Sequence, residues 1–119
     1  MPQPAPFDRI YKIFRPAEWA AFQAEGVFAG SADDKRDGFI HFSTANQVIA
    51  TLTRHFADAD DVVIAAVEAA ALGAALRWEP SRGGDLFPHH YAALPLTAVV
   101  AHGLASRGPL GGFNMPGGL

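Results

Sequence analysis

Residues 62–67 read Val-Val-Ile-Ala-Ala-Val, a run with no polar position on either side of a strand. Side chains of a strand point alternately to two faces, so a run that is apolar throughout has to be covered on both. The segment predicts a central strand. The rest of the chain must supply strands beside it and layers above and below. With 119 residues there is material for one domain. A chain of that size hides roughly two-thirds of the surface its unfolded form exposes. Half of the residues are hydrophobic, enough for one core, and there is no cysteine to staple it. The lack of cysteine also excludes thiolate nucleophiles, iron–sulfur clusters and thiolate zinc sites.

Residues 9–14 (RIYKIF) alternate as a first strand, with Ile10, Lys12 and Phe14 on one face and Tyr11 and Ile13 on the other. Residues 15–26 predict a helix. Pro16 suits its first turn, Trp19 and Phe22 share one side, and Gly26 can take the left-handed conformation that ends it. Residues 31–38 (SADDKRDG) read as an exposed polar loop. Residues 39–43 (FIHFS) alternate as a strand, with Ile40 and Phe42 opposite Phe39, His41 and Ser43. Thr44-Ala-Asn-Gln47 has the form of a capping box, which predicts a helix from Thr44 with the apolar stripe Ala45, Val48, Ile49, Leu52 and Phe56.

After the central strand, residues 68–73 predict a helical turn stopped by Gly73, and residues 76–79 a further alternating strand. Residues 80–90 read as an irregular loop and 97–104 as a last strand. Residues 1–8 read as a loose lead and 106–119 as a flexible Gly- and Pro-rich tail, around a single domain at 9–105. The order β-α-β-α-β-β-β implies an α+β fold, with two short helices on small, mostly antiparallel sheet.

The formal net charge is −3 and the basic residues are scattered, which does not favour a nucleic-acid partner. There is no charged-then-apolar leader, and no apolar stretch approaches the roughly 20 residues that span a bilayer. A soluble cytoplasmic protein without a membrane partner is the expectation. The polar residues that structure explains least fall in two stretches. The first, residues 41–47, puts His41 and Ser43 on one strand face, followed by Thr44 and Gln47. The second, residues 77–91, holds Trp78, Glu79, Arg82, Asp85, His89 and Tyr91 within fifteen residues, around Gly83-Gly84 and Pro88.

Long irregular loops in compact domains are often functional. The catalytic candidates are the imidazoles of His41 and His89 and the carboxylate of Glu79. Lys12, Ser43, Thr44, Gln47, Trp78, Arg82, Asp85 and Tyr91 are candidate ligand contacts. Each has a structural reading too: capping for Ser43, Thr44 and Gln47, a surface ion pair for Glu79 and Arg82, and core packing for Trp78. His41, Glu79, Asp85 and His89 are metal-ligand types, but no compact motif such as H-E-x-x-H joins them, and no metal ligand is assigned. No G-x-S-x-G elbow, P-loop or G-x-G-x-x-G occurs.

Two segments, DGFIHFST at 37–44 and LRWEPSRGGDLFPHHYAALPL at 76–96, resemble paired motifs of the bacterial family called domain of unknown function 952. The likeness runs from about residue 10 to residue 100. That family is grouped with the ADP-ribosyltransferase-like superfamily, whose enzymes bind NAD between two small, roughly orthogonal sheets. The resemblance therefore implies split sheets with a polar cleft, and NAD or a related nucleotide as ligand or substrate. For an enzyme it implies ADP-ribosyl transfer or NAD glycohydrolysis. In that frame His41 and Ser43 would bond the polar edge of a ring lying on Phe39. Glu79 would stabilise charge on a ribosyl carbon or take a hydroxyl proton, and His89 would close the site.

Where the family often reads IYHI this chain reads IYKI. Many transferases of the superfamily hold the nicotinamide ribose with a His near that strand. Lys12 stands there instead and cannot accept a hydrogen bond while charged. A non-catalytic nucleotide or small-metabolite binding module is thus the second reading, and a metal-dependent hydrolase built on His41 and His89 the third. YAAL at 91–94 replaces the family's usual YGPL, which concerns a turn.

Overall fold

The computed structural model describes residues 8–119, so residues 1–7 of the proline-rich start lie outside the described residues. In chain order the elements are β1 (Arg9–Phe14), α1 (Pro16–Glu25), β2 (Val27–Phe28), α2 (Ala32–Asp37), β3 (Ile40–His41) and α3 (Val48–His55). They continue with β4 (Asp61–Glu68), β5 (Leu76–Pro80), β6 (Leu86–His90), β7 (Leu94–Pro95), β8 (Val99–Arg107) and β9 (Phe113–Asn114). All pairings are antiparallel, in three small sheets ordered β1-β4-β8-β9, β3-β6-β5 and β2-β7. The architecture is α+β. No helix among the described residues is long and apolar enough to cross a membrane.

β4 is central, as its sequence requires, with β1 on one side and β8 on the other. Its two faces serve two cores. Val63, Ala65 and Val67 join Ile10 and Phe14 of β1, Trp19 and Phe22 of α1, and Ile40 and Phe42. Val62 and Ile64 join Ile13, Ala105 and the α3 residues Val48 and Leu52. Phe14 anchors the first core, with ring centroids 5.3 Å from Trp19, 5.4 Å from Phe22 and 4.9 Å from Phe28. Burying a side chain of this size contributes about 1.5–3 kcal/mol. Pro16 opens α1, and Gly26 closes it at φ 75°, as expected.

Several local expectations are corrected. Residues 31–38 are mostly exposed, as expected, but they are not a loop. They form α2, capped reciprocally: Ser31 Oγ accepts from Asp34 N at 3.1 Å, and Asp34 Oδ2 accepts from Ser31 N at 2.9 Å. The turn buries Asp34. Among the described residues there are three α-helices, not two. α3 starts at Val48, not Thr44. Gln47 Oε1 does accept from Thr44 N (3.0 Å), but Gln47 Nε2 is committed to Leu86 O (2.9 Å), which holds residues 45–47 as turns. Of the expected stripe, Val48 and Leu52 are buried and Ile49 is 56% exposed.

Residues 80–90 are not one loop. After a turn in which Gly83 (φ 67°) and Gly84 (φ 83°) reverse the chain, β6 returns along β5, with Pro88 opposite Trp78. The tail does not hang free of the domain. β9 pairs with the end of β8, the Arg107 guanidinium lies 4.4 Å over Phe113, and Phe113 and Leu119 pack on the second core. Arg107 also donates to Phe56 O (3.0 Å) and Ala59 O (2.7 Å) across the loop before β4.

Candidate functional site

Lys12 is on the inward face of β1, between Ile10 and Phe14, and is only 6% exposed. A buried ammonium needs a counter-charge and acceptors. Asp34 of α2 supplies both, with Oδ2 at 3.0 Å and Oδ1 at 3.2 Å from Nζ. The same Oδ1 meets His41 Nδ1 at 2.6 Å and accepts from His41 N at 3.1 Å. Burial by itself would push the Asp34 carboxyl up. The hydrogen bond with His41, the Lys12 charge and the N–H groups of Ser31 and His41 outweigh it, holding the carboxyl well below the usual carboxylate range. The outer nitrogen of His41, Nε2, lies 2.9 Å from Asp37 Oδ2.

A second imidazole–carboxylate pair stands beside the first. β6 carries His89 next to β3, in register with His41. His89 Nδ1 is 2.8 Å from Glu79 Oε1, which also accepts from the Tyr91 hydroxyl at 2.7 Å. These two bonds, Tyr91 first, hold the Glu79 carboxyl below its ordinary value, and Glu79 in turn raises the Tyr91 phenol. With Nδ1 donating to Glu79, Nε2 of His89 is left as the acceptor nitrogen of the neutral ring. The His41 and His89 ring centroids are 5.8 Å apart, and Phe39 packs on both, at 4.6 Å and 4.0 Å.

Both histidines line one pocket of about 520 Å³. Its walls come from β1 (Tyr11, Lys12, Ile13), α2 (Asp33, Asp34, Arg36, Asp37), the β3 stretch (His41, Phe42, Ser43) and the end of α3 (Thr51, Arg54, His55) with Phe56. Phe87 and His89 of β6 line it too, as do Ser31, Ala32, Ser81 and Glu18 of α1. Arg15 sits at its edge with its guanidinium 5.0 Å from the Phe56 ring. Exposed Arg54 makes no ion pair among the described residues, and it brings an unneutralised cation to the wall. The pocket therefore offers aromatic surface, cations and two carboxylate-held imidazoles.

The candidates from sequence divide accordingly. Lys12, His41, Ser43 and His89 are on the pocket wall. Ser43 is buried, its Oγ 3.1 Å from Thr51 Oγ1. Glu79 and Tyr91 stand behind His89. Thr44, Gln47, Trp78 and Asp85 are not on the wall. Thr44 and Gln47 close the turn before α3, Trp78 packs against the first core, and Asp85 O accepts from Ser81 N in the hairpin turn. The Arg82 side chain lies outside the described part of the structure. Sequence reading missed Asp34, Asp37 and Arg54. For Asp34 a signal existed: Ser-x-x-Asp at 31–34 is a capping pattern, and an inward-facing Lys12 demands an acid. Among the described residues, no three His, Asp or Glu side chains form a group that could hold a metal ion.

The family model described as "Protein of unknown function (DUF952)" matches residues 13–102. The chain belongs to the DUF952 family. Its fold is shared with protein CC0527 from Caulobacter crescentus. That protein's crystal structure is 42% identical to this chain, covers 89% of this chain and 93% of its own, and superposes with a TM-score of 0.84. A solution NMR structure of the same protein gives 0.79, covering 89% and 91%. A search of curated proteins finds no match. In this DUF952 chain the two motifs noted in the sequence fall on β3 and on the β5–β6 hairpin, which bring His41 and His89 to the pocket.

Proposed function

We propose that the pocket binds a nucleotide, with NAD as the first candidate, and that the fold is related to the ADP-ribosyltransferase-like superfamily. The observation that carries this reading is the convergence of His41 and His89 on one pocket, each held at Nδ1 by a carboxylate. The volume, about 520 Å³, falls in the roughly 300–1,000 Å³ range of small-molecule sites. Phe56 brings aromatic surface to the wall, and exposed Arg54 offers charge for phosphates, while Arg15 is paired with Asp58 at 3.2 Å.

In this reading His89 is the base. Its Nε2 takes the proton of a hydroxyl or water, whose oxygen bonds to the ribosyl carbon as the bond from that carbon to nicotinamide breaks and nicotinamide leaves. Glu79 acts through His89 by fixing its tautomer, rather than on the ligand. A cytoplasmic location belongs to the same proposal. Calorimetry with NAD, ADP-ribose and nicotinamide, combined with an assay of nicotinamide release, tests it. NAD and ADP-ribose should bind, and His89→Gln should abolish release while sparing binding. If neither nucleotide binds, the reading is wrong.

A second reading, nucleotide binding without turnover, is favoured by Lys12. Its amine is committed to Asp34, in the place where many of the superfamily's transferases carry a ribose-holding histidine. Binding of NAD with no nicotinamide released would select it. The metal-dependent hydrolase has no particular observation in its favour: among the described residues no three His, Asp or Glu side chains are grouped to hold a metal ion.

A further inference from the structure

Both ring nitrogens of His41 face carboxylates, and the two carboxylates differ in kind. Asp34 is 2% exposed, and its oxygens already accept from Lys12, from the Ser31 N–H and from the His41 N–H. It is fixed. Asp37 is the last residue of α2, with its side chain 35% exposed. It also accepts from Arg36, the neighbouring residue, whose side chain is 67% exposed. Exposed pairs of this kind contribute little, so the contact is readily exchanged.

Ionised carboxylates only accept hydrogen bonds, so each of the two contacts calls for an N–H on the ring nitrogen that makes it. Nδ1 is committed to Asp34. A ligand can therefore meet His41 only at Nε2, where Asp37 Oδ2 stands at 2.9 Å. Whatever replaces Asp37 there must accept a hydrogen bond from a ring polarised by Asp34 on its far side. A phosphate oxygen does so with charge equal to or greater than that of the carboxylate it displaces. A neutral hydroxyl or amide does not compete with the ion pair.

We propose that Asp37 occupies an anion subsite of the pocket in the free protein, and that a phosphate group of the ligand displaces it at His41 Nε2. Arg36, released from Asp37 and still steadied by Asp33 at 3.0 Å, becomes the second donor to that phosphate. The inference rests on the pocket being a nucleotide site. It adds where the ligand's anionic end lies, and it makes Asp37 the residue that sets how tightly that end is held.

The probe is inorganic phosphate, titrated into wild type, Asp37→Ala and Asp37→Ala/His41→Gln, and followed by calorimetry and by the nitrogen shifts of the His41 ring. Asp37→Ala should bind phosphate about fivefold more tightly, the worth of one exposed ion pair, and the double variant should lose that gain. Equal or weaker binding by Asp37→Ala overturns the proposal, as does a gain that survives His41→Gln. Should either variant fail to fold, phosphate must still move the His41 Nε2 resonance of wild type, and an unmoved resonance sinks the idea. NAD titrated into wild type and Asp37→Ala separates this from the nucleotide reading. NAD binding that ignores Asp37 leaves that reading standing and removes the subsite. An Asp37-dependent phosphate response without NAD binding does the reverse.

Discussion

A carboxylate 2% exposed has to be surrounded by donors, and Asp34 finds them on three elements: Lys12 of β1, Ser31 at the start of its own helix, and His41 of β3. Replacing it with Asn would leave the Lys12 ammonium buried without a counter-charge. Asp34→Asn should cost about 3–5 kcal/mol in urea denaturation. The pH dependence has a definite sign. The Asp34 carboxyl titrates at 3.8 in the unfolded chain and lower in the folded one. Between those values only the unfolded chain holds the proton, so this stabilisation is complete above 3.8 and is lost as pH falls through the folded value. Denaturation of wild type and Asp34→Asn at falling pH should show their difference shrinking in that window.

His90 behaves differently. It is 3% exposed, on the core side of β6, and its Nδ1 has no hydrogen-bond partner among the described residues. Burial lowers its titration from 6.5. As pH drops below 6.5 the unfolded chain protonates first, so stability declines from there downward. His90→Leu should remove that decline, and an unchanged slope in the variant would show that another group causes it.

At the scale of elements, the β3 stretch separates two roles by alternation. Phe42 is 2% exposed in the first core, whereas the His41 side chain is 36% exposed on the pocket wall. Phe42→Ala should lose about 3–5 kcal/mol, and His41→Ala distinctly less in the same thermal melts. Equal losses would make His41 a core residue. β1, α1 and β4 were legible in the sequence because their signals are local: alternation, a first-turn proline with a closing glycine, and an apolar run.

What was not legible depends on partners distant in sequence. The acidic segment 31–38 reads as solvated surface until Lys12, twenty-two residues away, is seen to need Asp34. β6 was hidden by Pro88, since proline ordinarily argues against a paired strand. Here Pro88 lies opposite Trp78 and accepts from Phe42 N through its carbonyl, so its missing N–H costs nothing on that side. His41 and His89 stood out as residue types, but their register across β3 and β6, which makes them a pair, is a tertiary fact.

For the molecule as a whole, the chain beyond Arg107 completes the second core. Removing residues 108–119 would uncover the surfaces against which Phe113 and Leu119 pack. Each side chain is part-buried, so the deletion should cost about 2–3 kcal/mol, on the scale of one fully buried apolar group. A deletion that leaves the denaturation midpoint unchanged would show that these contacts carry no stability.

The four-stranded and three-stranded sheets meet at Tyr11 and Ser43, whose backbones exchange two hydrogen bonds of 2.8 Å. That pair ties the two sheets edge to edge. His41, Glu79 and His89 stand on the three-stranded sheet and Asp34 on the helix beside it, whereas Lys12 stands on the four-stranded sheet. The bond from Lys12 to Asp34 is therefore a second stitch across the same seam, and the pocket is lined from both sides of it.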